Sequence, residues 1–169
     1  PGRRCAAQQG GRRQAQAALD HARRALQAIC AELRAHVRRR KLGAVFDSST
    51  GFRLTRDDVL SPDAAFVTYP LLSVLARNPR GFFPGAPDLV VEVLSPTDSL
   101  TSISEKMASY FAHGTRLAWV INPVERNAHV YRSSEAGRLL RVADALDGED
   151  VLPGFRLPLA ELFAELSFE

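Results

Sequence analysis

The spacing of apolar residues changes near residue 42. Before it, Leu19, Ala22, Leu26, Ile29, Leu33 and Val37 recur at three- and four-residue intervals, with Arg12, Arg13, Arg23, Arg24, Arg34 and Arg38 mostly on other faces. That period predicts an amphipathic helix from about residue 12 to 40, its apolar stripe turned to a sheet. Residues 1–11 are polar, and Gly10-Gly11 marks them as a loose leader. After residue 42 the apolar runs are short and punctuated by turn residues. Ala44 to Asp47, Ser48-Ser49-Thr50-Gly51 and Phe52 to Thr55 predict a hairpin, and Arg56-Asp57-Asp58 a polar loop. Ser61-Pro62-Asp63 leads into a strand over Ala64 to Val67, a helix is expected over Tyr69 to Asn78, and Pro79 to Pro87 reads as irregular.

The stretch Pro87 to Tyr110, PDLVVEVLSPTDSLTSISEKMASY, organises the rest. Its strand residues Leu89, Val90, Val91, Val93 and Leu94 are interrupted by one carboxylate, Glu92. Burying an unpaired carboxylate costs several kcal/mol, so Glu92 must face a cation, a metal ion or a wet cleft. A helix follows from Leu100 to His113, with Ile103, Met107, Tyr110 and Phe111 on one face, Lys106 carried along it, and Gly114 as its stop. Leu117 to Ile121 is a buried strand with Trp119 in the core, and Ala128 to Arg132 alternates. A turn over Val151 to Phe155 and a short helix within 157–166 close the chain. This order predicts an α/β (α+β) fold, a mixed sheet flanked by helices.

At 169 residues and 46% hydrophobic content, one domain with one core is expected. Residues 1–41 form its basic leader and first helix, and residues 42–169 its core. No apolar run approaches the ~20 residues needed to span a bilayer, and no secretory signal pattern opens the chain, so a cytoplasmic location without membrane contact is expected. Cys5 and Cys30 lack metal-ligand spacing and read as free thiols. The formal charge of +3 conceals an asymmetry. Residues 1–41 carry 11 Arg or Lys against Asp20 and Glu32, a balance of +9, while the remainder carries 11 against 17, or −6. Such an arm suits nucleic acid or an acidic partner, although a solvated arginine face needs neither. His21 and His36 are expected on the surface, and His113 and His129 in structural roles.

Asp63 and Asp88 both open an apolar strand after a proline. Asp88 and Glu92 share a strand face but lie ~13 Å apart along it, too far for one ion to bind both. A partner for Glu92 must come from a neighbouring strand, and Asp63 is the best-placed acid. Two such carboxylates offer the hard oxygens that Mg²⁺ prefers, and Lys106 would add a positive charge beside them. Asp88 is then secondary, a cleft-lining acid, and Ser95, Asp98 and Ser99 are helix caps. In the plainer alternative, Glu92 and Lys106 form an ion pair that only closes the sheet on the helix.

The stretches VFDSSTGFRL, SPDAAFV, PDLVVEVLSPTDS, EKMASYFAHGTRLAWVINP, VYR and LDGEDVLPGFRLPLAELF together resemble the Uma-two family of the PD-(D/E)XK nuclease superfamily. They extend from Leu42 to Phe163. The resemblance implies a restriction-endonuclease-like sheet and a Mg²⁺- or Mn²⁺-dependent endonuclease acting on DNA. It assigns metal binding to Asp63 and Glu92 and an assisting role to Lys106. The superfamily lysine usually follows the second acid by two positions, where this chain has Leu94, and the family moves that charge to the helix. A homodimer through the first helix is a further expectation, because cutting two strands takes two centres. The competing reading is a catalytically inactive nucleic-acid-binding or protein-interaction module of the same fold.

Overall fold

The computed structural model of the protein describes residues 2–75, 81–164 and 166. Helix α1 (Gly2–Arg40) is followed by strands β1 (Gly43–Asp47), β2 (Phe52–Arg53), β3 (Val59–Leu60) and β4 (Ala64–Thr68), then helix α2 (Tyr69–Leu75). Next come β5 (Phe83–Pro84), β6 (Leu89–Val93), α3 (Leu100–Ala112), β7 (Leu117–Asn122) and β8 (Asn127–Tyr131). The chain ends with β9 (Arg138–Leu140), β10 (Ala145–Asp147), β11 (Arg156–Pro158) and α4 (Leu159–Ala164). Residues 76–78 of the expected second helix, 79 and 80 of the expected loop, 165 of the closing helix and the Cys5 side chain lie outside what is described.

Six strands form the main sheet in the order β1-β4-β6-β7-β8-β9. Only β6 and β7 run parallel; the other neighbours are antiparallel. Strand alternation divides the core into layers. On one face Ala64, Phe66, Leu89, Val91, Val93, Leu117, Trp119 and Ile121 meet the α1 stripe of Ala25, Ile29, Leu33 and Val37. On the other, Val90, Ala118 and Val120 meet Ile103, Met107 and Tyr110 of α3. Ala65 and Val67 extend that second face under Phe52 and Phe83 of the small sheet β3-β2-β5. This is the mixed sheet flanked by helices that the sequence predicts.

Three expectations are corrected. The leader is helical: α1 continues through Gly10-Gly11 back to Gly2. Each glycine costs a helix only ~1 kcal/mol relative to alanine, and the flanking Ala, Arg and Gln are strong helix formers. The expected hairpin does not form, because β1 pairs with β4 while β2 pairs with β3 and β5. The Asp47 carboxylate accepts from the Ser49 backbone N–H and hydroxyl, and the Thr50 N–H donates to the Asp47 carbonyl. This turn carries the chain off the main sheet so that Phe52 is buried against Phe83, Ala65 and Val67. Close approach of β4 also requires glycine at 43, where a Cβ would lie 2.0 Å from the Val67 carbonyl oxygen.

The third correction is His36, which is buried and not a surface residue. Its ring meets Phe155 edge-on at 5.4 Å, and Nε2 lies 3.1 Å from the Pro153 carbonyl oxygen. A carbonyl only accepts, so Nε2 carries the proton. His21 is half-buried. Trp119 is fully buried and stacks on Phe155 at 5.5 Å. Cys30 is a buried free thiol. No described helix is long and apolar enough to cross a membrane.

Candidate active site

Two antiparallel strands and one helix converge on Glu92. In the β4–β6 ladder Ala64 pairs with Val91 and Phe66 with Leu89, so the residue before Ala64 falls opposite Glu92. That residue is Asp63. Alternation puts Asp63 on the face of Ala65 and Val67, and Glu92 on the face of Val90, the same side of the sheet. Directly opposite residues carry their Cβ atoms about 4.5–5.5 Å apart, so the two acids are neighbours. The Asp63 Oδ2 accepts from the Val93 backbone N–H at 2.7 Å, which fixes this carboxylate at the strand mouth.

The helix supplies the counterpart. Ser99 caps α3 by accepting from the Ser102 N–H at 3.1 Å, and the Asp98 carboxylate accepts from the Ser95 N–H and hydroxyl in the turn that leads to it. From this start, Lys106 and Tyr110 fall one helical turn apart on the sheet-facing side. The Lys106 ammonium donates to Glu92 Oε2 at 2.7 Å, and the Tyr110 hydroxyl donates to Oε1 at 3.1 Å. The Glu92 side chain is 4% exposed, whereas that of Lys106 is 31% exposed, so the pair opens to solvent on the lysine side.

Burial raises the Glu92 pKa above its ordinary range; Lys106 and the Tyr110 hydroxyl oppose that shift, and nearby Asp63 adds to it. Burial also raises Asp63, against the Val93 N–H and Lys106, with Asp98 adding to the rise. Tyr110 is pushed far above a normal phenol by burial and by the Glu92 charge, so it is a fixed donor and not a base. The folded chain therefore retains protons that the unfolded chain releases near 3.8 and 4.5. Stability should fall as pH rises from those values through the higher folded ones. Urea unfolding in EDTA from about pH 4 upward should show this decline, and Glu92→Gln should reduce it.

Asp88 has a different setting. Its Oδ2 accepts from the Thr68 backbone N–H at 2.8 Å, at the opposite end of the β4–β6 pair. The two Pro-Asp corners are therefore reciprocal, each acid capping the far end of the other's strand. Their likeness in sequence reflects that shared task, and only the Asp63 corner also meets Glu92 and Lys106. His113 Nδ1 bonds the Ser109 carbonyl, and His129 lies beside Tyr131. The sequence placed Tyr110 only on an apolar face. The available signal was its position four residues after Lys106, on the helix that follows an acid-bearing strand.

Among the described residues no three His, Cys, Asp or Glu side chains group to cage a metal. The donor set fits a smaller demand. Two adjacent carboxylates, one of them with no hydrogen bond to Oδ1 among the described residues, suit an ion of the Mg²⁺ type, which takes one or two protein carboxylates and fills its octahedron with water and phosphate oxygens. A separate groove of about 660 Å³ lies beyond the 95–99 turn, lined by Leu94, Ser95, Asp98, Leu100, Asn122 and Gln14. It holds none of Asp63, Glu92 or Lys106.

A family model described as "Uma2: Putative restriction endonuclease" matches residues 4–160. Among solved structures, one titled as a putative nuclease belonging to DUF820 from Anabaena variabilis superposes with a TM-score of 0.74 at 21% identity, covering 87% of this chain and 82% of that one. At that identity the likeness establishes the fold. No curated protein sequence matches.

Proposed function

The chain belongs to the Uma2 family, and from that premise we propose that Asp63, Glu92 and Lys106 form a metal-dependent centre that hydrolyses DNA phosphodiesters. The observation that carries this reading is the second acid. Asp63 and Asp88 each cap a strand end, but only Asp63 does so opposite a second buried carboxylate; that juxtaposition raises the electrostatic cost of the Glu92–Lys106 pair and suits a cation.

A bound Mg²⁺ or Mn²⁺ would polarise the phosphate and lower the pKa of a coordinated water. Asp63 and Glu92 would hold that ion through carboxylate oxygens. The Lys106 ammonium, at the solvent side of Glu92, would hold the attacking water and offset charge developing on the phosphate oxygens. In the hydrolysis a water oxygen bonds to phosphorus and gives up a proton to solvent, the bond from phosphorus to the leaving sugar oxygen breaks, and that oxygen takes up a proton from solvent. Removing a donor of this kind typically costs about 100- to 1,000-fold in rate, the loss expected for Lys106→Met.

The test is cleavage of single- and double-stranded DNA by the full chain with Mg²⁺, with Mn²⁺ and in EDTA. Cleavage with either ion, abolished by EDTA and lowered at least about 100-fold by Lys106→Met, supports the reading. No cleavage with either ion, together with retained DNA affinity, would support an inactive binding module of the same fold.

A further inference from the structure

Glu92 is held at both oxygens by residues of different character. Lys106 is mobile by chemistry, with a long flexible stem and a partly exposed side chain. Tyr110 is surrounded by protein alone: its ring is completely buried among Val90, Ala118, Ile103 and Met107. The ring cannot swing away without opening the α3 layer, so its hydroxyl keeps one direction relative to the sheet. Oε1 is therefore pinned, and the carboxylate plane of Glu92 is set by a group that does not itself reach solvent. Oε2, on the lysine side, is the oxygen free to exchange partners.

On the reading that this is a metal-dependent nuclease centre, we infer that Tyr110 is a positioning residue that fixes the Glu92 carboxylate so that Oε2 is presented to a divalent cation beside Asp63. Its hydroxyl contributes orientation and no chemistry. Groups that orient a metal ligand in this way typically contribute about 10- to 100-fold in metal affinity or activity.

Tyr110→Phe removes the hydroxyl and keeps the ring that fills the core. With no nucleic acid present, Mn²⁺ binding by the full chain is measured by electron paramagnetic resonance, alongside thermal melting in EDTA. The expected result is Mn²⁺ affinity about 10-fold weaker for Tyr110→Phe, with Met107→Leu, a change in the same layer, leaving affinity unaltered. Equal Mn²⁺ affinity in wild type and Tyr110→Phe would overturn the assignment, even if the variant melts earlier. Absence of Mn²⁺ binding in the wild type would instead overturn the metal-centre reading beneath it. A second measurement keeps the Tyr110 hydroxyl. In wild-type protein labelled with 3-fluorotyrosine, the Tyr110 ¹⁹F line, identified by eliminating Tyr69 and Tyr131 through phenylalanine substitution, should move as Mg²⁺ is added. A stationary line would count against the inference.

Discussion

If Glu92 is a ligand of the proposed metal centre, Glu92→Gln will lower DNA cleavage by more than about 100-fold while the chain still folds, because loss of a ligand exceeds the 10- to 100-fold typical of a ligand's outer partners. Glutamine keeps the volume and can still accept from Tyr110, so the α3 layer stays filled. Lys106 loses its counter-ion, but its partly exposed side chain can turn to water. Activity and stability should therefore separate: cleavage nearly vanishes, and the melting temperature stays within a few degrees. Parallel loss of both would mean that Glu92 serves the fold alone.

Trp119→Ala should have the largest effect on stability. The side chain is fully buried in the α1 layer and stacked on Phe155, and truncating such a residue costs about 3–5 kcal/mol. For a chain of this length each kcal/mol lowers the melting temperature by about 2–4 °C, so a drop of roughly 10 °C is expected. The indole Nε1 has no hydrogen-bond partner among the described residues, so Trp119→Phe forfeits packing but no polar contact and should cost no more than about 2 kcal/mol. Thermal unfolding of the two variants checks both values. Trp119 lies on the sheet face opposite Glu92, so Mn²⁺ affinity below the melting range should not change.

The parts of the fold that the sequence disclosed are those whose signal spans several residues. A strand of four apolar positions broken by Glu92, and a helix with Ile103, Met107 and Tyr110 on one side, each specify their own type and facing. The register that sets Asp63 opposite Glu92 relates residues 29 positions apart, and no local period encodes it. His36 escaped for the same reason. Its burial comes from Pro153 and Phe155, 117 and 119 positions along the chain. The mistaken hairpin had a local cause: the Asp47 turn has the composition of a hairpin loop, and its outcome was decided by where Phe52 could be buried. Strands β2, β3, β5, β9, β10 and β11, each of two or three residues, are too short to show alternation.

Tyr110 shows the limit from the other side. Its ring satisfies the apolar pattern so completely that the hydroxyl goes unnoticed until Glu92 Oε1 is found 3.1 Å away. Buried tyrosines usually find such a partner, and a carboxylate in the facing strand is the place to look for it.

The proposed centre requires Asp63 and Glu92 to act together on one cation. Mn²⁺ titration of the wild type and of Asp63→Asn, in the absence of DNA, tests it most directly. One ion per chain is expected in the wild type, with affinity at least about 10-fold weaker after the substitution if Asp63 is itself a ligand. Binding by Asp63→Asn as tight as by the wild type, or no binding by either, would contradict it.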